Sequence, residues 1–541
     1  ASTRKTSSSR ARYRLPSDPE ASRRGRIFKL AGSGDLLVQE VANLRKPQSA
    51  LSRLHEMRAH GGAAITRGLT DEIILDFLED RTDLATAIDR GYDAFRALQE
   101  SHADFLALDE REQILHSQAG LTNFYRPEGV NPYVAVAAAG PWIVTLKGAV
   151  VYDCGGYGML GLGHAPAAIL DAMNRKHVMA NVMTPSVSQL ELVERLKEEI
   201  GHKRAGGFPF ATFICLNSGS EAMTVASRLA DINTKKMTDP GGRYEGCRIR
   251  GLTLTGSFHG RTDRPARLSD STRENYEAHL ATFRESEYLL TCEPNDVASL
   301  EAAFAKADAD GIFIEAFFME PVMGEGNPGL AIEPGFYQRA RELTREHGTI
   351  FVVDSIQAGL RANGVLSVVD YPGFEELDAP DIESYSKALN AGQYPLSVLA
   401  LSDACARSYR RGLYGNTMTS NPRAMDVGVA VLNSLDDELR ENICRRGREL
   451  VSGLAALTDE TDGAVLSAQG TGLLLSCELD ERYKIYGTDS TEDYLRRIGL
   501  AVIHGGERSL RYTPVFGIGA KEVELIVNLT RQALLEGPTH Q

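Results

Sequence analysis

The chain has 541 residues, with 59 lysines and arginines against 73 aspartates and glutamates, and a net charge of −14. That acid excess argues against nucleic acid or an anionic membrane as a main partner. A composition 43% hydrophobic and 24% charged predicts a globular protein of two or three domains.

No apolar run reaches the roughly 20 residues of a membrane helix, and no signal-peptide core opens the chain. Seven scattered cysteines without a C-x-x-C pair predict reduced thiols and a reducing, cytoplasmic setting.

Residues 1–26 are rich in Arg and Ser and poor in acids, which predicts a disordered basic tail. The alternative is a transit peptide and an organellar location. From 27 to about 130 the pattern predicts a helical N-terminal extension, packed on the core or offered to a partner. It is clearest after Asp71-Glu72, where apolar residues recur at three- and four-residue steps as far as Leu108.

Tyr133 to Tyr152 alternates into short strands around Gly140-Pro141 and Gly148. Gly156, Gly158 and Gly161 then spell a literal G-x-G-x-x-G, but the next helix starts late, near Pro166. This disfavours a dinucleotide fingerprint and predicts a glycine-rich loop, carrying Tyr157, at the border of a site. Val187 to Ile200 is amphipathic, with Ser188 and Glu191 spaced as a capping box.

The chemistry collects where apolar runs end in polar residues. Ala211–Leu216 reads as a strand entering Asn217-Ser218-Gly219-Ser220-Glu221 at a helix start, where free N–H groups and the helix dipole favour an anion. Gly251–Thr255 precedes Ser257-Phe258-His259-Gly260-Arg261-Thr262. Gly311–Met319 ends at Glu320, and a helix over Gly335–His347 is closed by Gly348. Thr349–Val353 ends at Asp354 with Gln357 beyond, and Asp381–Tyr385 delivers Ser386-Lys387.

In a parallel α/β sheet ligands bind beyond the carboxyl ends of the strands, so Glu320, Asp354, Gln357 and Lys387 are expected to converge. An amine and an acid brought together this way suit pyridoxal 5'-phosphate. Lys387 forms the Schiff base with the aldehyde. Asp354 keeps the pyridine nitrogen protonated, so that the ring takes up the electrons of a carbanion. His259 is expected beside the cofactor and not as an acid–base catalyst. No metal site is expected.

The blocks EPVMGEG (320–326), VVDSIQAGLRANG (352–364) and PDIESYSKALNAG (380–392) resemble those of class III aminotransferases, fold type I enzymes that use pyridoxal phosphate. The likeness runs from about Tyr152 to the C-terminus. It implies an α/β fold with a large domain (186–424) around a mostly parallel seven-stranded sheet sandwiched by helices, and a smaller α+β domain (131–185 and 425–541).

It further implies that Gly219 and Ser220 hold the cofactor phosphate and that Phe258 stacks on the pyridine ring. Thr417 would reach the phosphate from the neighbouring subunit of a homodimer. Arg511 would pair with Glu320 and, with Tyr157, face the substrate. The implied activity is ping-pong transfer of an amino group from an amine or amino acid, ω-amines included, to an oxo acid such as 2-oxoglutarate.

Three departures border the substrate side. Ser355 stands for the usual glutamate, Leu360-Arg361-Ala362-Asn363 for Phe-Gly-Arg-Thr, and Thr419-Ser420 for a glycine pair. They leave open another carbanion outcome on the same scaffold, as in an aminomutase, racemase or decarboxylase. A rival of another kind is a non-catalytic scaffold that binds a partner through its N-terminal helices.

Overall fold

The computed structural model describes residues 47–155, 157–284 and 287–540. The basic tail, the start of the helical extension and Gly156 of the glycine motif lie outside the described residues.

The extension consists of helices Pro47–Arg58, Asp71–Leu78, Thr82–Ser101, Ala103–Ala107 and Glu110–Gln118. The run expected from Asp71 to Leu108 is therefore broken at 79–81 and again at His102. The first break lets Arg81 pair with the buried Glu522, while Lys521 reaches Asp76 at 2.9 Å, so the helices follow the C-terminal helix they cover. Leu54, Phe77, Leu84, Ile88 and Phe95 join Trp142, Val144 and Tyr152 in one core. Lys147, buried, fastens the extension by donating to the carbonyls of Gly62 at 2.9 Å and Leu108 at 2.7 Å.

Strands β1 (Ala135–Ala139), β2 (Trp142–Thr145) and β3 (Val150–Asp153) come next. They are followed by β4 (Thr212–Leu216), β5 (Arg248–Leu254), β6 (Leu289–Cys292), β7 (Ile312–Met319), β8 (Ile350–Asp354), β9 (Ile382–Tyr385) and β10 (Ser397–Leu401). The C-terminal part adds β11 (Val465–Thr471), β12 (Leu474–Leu479), β13 (Leu500–Ala501), β14 (Ile503–Gly505) and β15 (Ser509–Tyr512).

Among the described residues they form three sheets, ordered β1-β2-β3-β13, β4-β10-β9-β8-β7-β5-β6 and β11-β12-β15-β14. In the seven-stranded sheet only β10 runs against its neighbours. Every residue of β7 is buried and all but Glu315 are apolar, as in a strand covered on both faces.

β4, β5, β7, β8 and β9 consequently end along one edge of the sheet. The helix Pro334–His347 between β7 and β8 stops at Gly348, whose φ of +71° is the left-handed cap. The helix Val187–Glu199 is capped by Ser186, whose N–H donates to Gln189 Oε1 at 3.1 Å, and not by Ser188 with Glu191. Two serines two residues apart offer the same spacing, and the helix starts at the earlier one.

Candidate active site

The edge formed by those strand ends opens into a cavity of about 400 Å³. Gly219, Ser220, Phe258, His259, Glu320, Asp354, Gln357 and Lys387 all line it, although 168 positions separate the first from the last. The helix Gly219–Thr238 starts immediately beyond β4, and Ser218 caps it by accepting from Glu221 N at 3.2 Å. The first N–H groups of a helix have no intrahelical acceptor, so Gly219 and Ser220 offer theirs to the cavity.

Asp354 closes β8 and is only 4% exposed. Its Oδ1 accepts from Ser384 Oγ and Ile356 N, each at 3.1 Å, and its Oδ2 lies 2.8 Å from His259 Nδ1. His259 Nε2 in turn lies 3.0 Å from Thr253 Oγ1 on β5. The imidazole is thus fixed at both nitrogens and sets the carboxylate's position.

Lys387 Nζ donates to Gln357 Oε1 at 2.9 Å. The lysine has φ +46°, a left-handed conformation that costs a non-glycine residue free energy. Burial, and next the nearby Arg511 cation, lower its pKa from 10.5 to about 8. Only the neutral amine attacks an aldehyde. Covalent uptake of pyridoxal phosphate by the cofactor-free protein should therefore accelerate about tenfold per pH unit up to about pH 8 and then level off. Stopped-flow absorbance across pH 6–10 reads this directly, and a rise continuing toward 10.5 would show an unperturbed amine.

Glu320 does not pair with Arg511 as expected. Its two oxygens accept from Gly324 N at 2.9 Å and Phe258 N at 3.0 Å, and burial pushes its pKa up to about 7. Arg511 on β15 instead donates to the Gly324 carbonyl and pairs with Glu325 at 3.2 Å. The turn after β7 decides the choice. It folds back through the bridge between Val322 and Ala331 and presses Gly326 against Gly256, where a Cβ would meet the Gly256 carbonyl oxygen at 2.1 Å.

Tyr157 (φ +53°) stands two residues before the cavity-lining Met159, its ring 5.6 Å from the Arg511 guanidinium and its hydroxyl on that of Tyr125. Thr417 is not brought into the cavity. It is exposed on the loop before the helix Pro422–Asn433, and Tyr414 and Asn416, three residues and one residue before it, bind Glu221.

Sequence reasoning missed Glu325, Tyr125 and Arg261. The Arg261 guanidinium stands 5.3 Å from the Phe258 ring and 5.7 Å from that of Phe124, and among the described residues no carboxylate pairs with it. Glu325 was legible only as one of two acids in EPVMGEG, whereas Phe124 and Tyr125 carry no local signal at all.

Residues 124–534 match the family described as aminotransferase class-III. An acetylornithine aminotransferase of Xanthomonas axonopodis pv. citri (strain 306) is 31% identical over 386 residues, covering 70% of this chain and 86% of that one. The acetylornithine aminotransferase of Neisseria meningitidis serogroup B is 30% identical over 391 residues, covering 71% and 89%.

Among solved structures, ornithine aminotransferase from Toxoplasma gondii ME49 superposes with a TM-score of 0.66 at 23% identity, over 81% of this chain and 98% of that one. Acetylornithine aminotransferase from Elizabethkingia anophelis gives 0.63 at 24%, over 79% and 99%. At these identities the structural likeness is one of fold. The helices from Pro47 to Gln118 precede the matched family region.

Proposed function

This chain belongs to the class III aminotransferase family, pyridoxal 5'-phosphate-dependent enzymes that pass an amino group from a donor to an oxo acid, and on that premise we propose that its donor carries a terminal amine of the ornithine or acetylornithine kind. The relatives' names favour that donor, and they favour amino transfer over mutase, racemase, decarboxylase or scaffold roles. The observation that carries the reading is the meeting of an amine, a buried acid and a helix N-terminus on one cavity.

That donor set fits pyridoxal phosphate. When bound, the cofactor supplies an electron-withdrawing ring that stabilises negative charge on the donor carbon. Gly219 and Ser220 would hold the phosphate through their N–H groups, and Phe258 would offer an apolar face to the ring. Asp354, held by His259 and Ser384, would keep a proton at the ring nitrogen. Lys387 Nζ would take up the proton lost from the donor carbon and hold it at that amine, with Gln357 orienting it.

Arg261, next to the cavity-lining Gly260 and without a carboxylate partner among the described residues, receives a substrate carboxylate. Tyr125 and Tyr157 line the donor's path, and Arg511 alternates between Glu325 and a carboxylate of the oxo acid. The pair with Glu325 keeps α-carboxylates out while a terminal amine is being used.

A donor panel tests this. Ornithine and acetylornithine should convert the cofactor to its amine form faster than α-amino acids without a second amine. Glu325→Gln should shift that ratio about tenfold toward α-amino donors, the equivalent of ~1.4 kcal/mol. An unchanged ratio contradicts the gate, and a panel with no amine form contradicts the donor class.

We further read the chain as a cytoplasmic homodimer with a large cofactor-binding part (186–424) and a small part from the flanking segments. Val178 and Met183 are 71% and 80% exposed, Met179, Val182 and Val187 continue that apolar run, and Met418 beside Thr417 is also exposed. An apolar run of this kind is a docking face, and a second copy covering it supports delivery of Thr417 to the partner's phosphate. Sedimentation equilibrium should return twice the chain mass, and a monomer that keeps full activity would contradict it. The free state of all seven cysteines supports a reducing compartment, and no described helix is long and apolar enough to cross a membrane.

A further inference from the structure

Arg361 is among the largest fully buried side chains, with no measurable exposure. A buried arginine ordinarily meets a carboxylate, because an uncompensated buried charge is costly. Arg361 meets none among the described residues. Its guanidinium donates only to main-chain carbonyls: Nη1 to Leu473 at 3.1 Å and Pro514 at 2.6 Å, and Nε and Nη2 to Gly158 at 3.3 Å each. The aromatic face of Phe516 lies 5.1 Å away.

Three stretches of chain distant in sequence therefore meet on one side chain. Gly158 lies between Tyr157, whose ring faces Arg511, and Met159, which lines the cavity. Leu473 opens the β11–β12 hairpin, and Pro514 follows β15, which carries Arg511. The packing around Arg361 is close on every side. Leu473 N returns a hydrogen bond to the Arg361 carbonyl at 3.0 Å, and a Cβ on Gly472 would overlap the Ala362 carbonyl oxygen at 1.8 Å. A Cβ on Gly158 would stand 3.3 Å from Arg361 Nε and 3.6 Å from Gln357 Cγ. Arg361 lies four residues beyond Gln357, the acceptor of the Lys387 amine. Its position is also one of the sequence departures from the family blocks.

We propose that Arg361 is a positioning residue for donor recognition. By clamping the Gly158 carbonyl to the β15 side of the molecule, it fixes the strained Tyr157 turn at the distance from Arg511 that the donor pocket requires. Burying this cation against carbonyls alone costs stability, and the return is a fixed turn, consistent with a conformation of Tyr157 that packing must enforce. The inference rests on the reading above that Tyr157 lines the donor's path.

The test is a double-mutant cycle on the holoenzyme with ornithine as donor, scored as kcat/KM of the donor half-reaction. Arg361→Met should raise the donor KM about tenfold while kcat changes less than about threefold, with cofactor affinity unchanged. Tyr157→Ala should cost a similar factor. The double variant should then lose little more than either single one, because the clamp has nothing left to position.

Losses that multiply overturn the proposal, as does a fall in kcat or cofactor affinity with donor KM unchanged. Tyr157→Ala without effect on the donor would instead remove the reading on which the proposal rests, and the proposal with it. Should Arg361→Met fail to fold, Phe516→Leu, which loosens the guanidinium without removing its donors, replaces it in the same cycle with the same two outcomes.

Discussion

Lys387→Ala is expected to bind pyridoxal phosphate yet turn over at least about 10³-fold more slowly than the parent enzyme. General acid–base catalysis alone contributes about 10²–10⁴-fold, and under the proposed function one amine would both hold the cofactor and move the proton. The structure supports assigning both tasks to this residue. Its amine is partly desolvated, has its pKa lowered to about 8, and is aimed by a single hydrogen bond from Nζ to Gln357 at 2.9 Å.

Cofactor retention follows from the groups the substitution leaves in place: the helix N-terminus at Gly219, the Phe258 ring and Asp354. The measurement is single-turnover conversion with a saturating donor, alongside cofactor affinity by equilibrium dialysis. A variant retaining a tenth of parental activity would exclude Lys387 as the proton carrier.

The second large effect is at Asp354. Asparagine has the same shape, so the contact from Ser384 Oγ at 3.1 Å can persist, but its charge is gone and half of its polar end now donates. The ring nitrogen then loses its anionic partner, and the amide must turn one N–H against His259 or against the ring. The expected loss is about 10²–10³-fold in kcat, the scale of removing one preorganised electrostatic contact from a transition state.

A cofactor analogue methylated at the ring nitrogen carries its positive charge permanently and should restore part of that loss. Recovery with the analogue assigns the effect to the ring nitrogen. Without recovery, the loss belongs to the His259 and Ser384 contacts and hence to structure.

Much of this site was legible because each strand of the large sheet announces its own end. Strands stop at Leu216, Leu254, Met319, Asp354 and Tyr385, all but the last after mainly apolar runs, and a shared strand direction gathers whatever follows them at one edge. That Asp354 and Lys387 reach one cavity needed nothing more than that rule.

What escaped depends on how loops pack. Glu320 and Glu325 sit five residues apart behind the same strand, and only the turn that presses Gly326 against Gly256 decides that the second one reaches Arg511. Phe124 and Tyr125 lie on a linker between the helical extension and β1, and they reach the mouth because helices and sheet share a core. The Ser186 cap was misread by two residues, since both serines satisfy the pattern. Arg361 looked like a substitution at the substrate side, and its burial among carbonyls depends on three segments each more than a hundred residues from it in sequence.

The central claim is that Lys387 is the amine joined to the cofactor at the meeting point of these strand ends. Borohydride reduction of the holoenzyme followed by peptide mass mapping tests it most directly. The account predicts one pyridoxyl phosphate modification, on the peptide containing Lys387. Its appearance on another lysine, with Lys387 unmodified, would contradict the account.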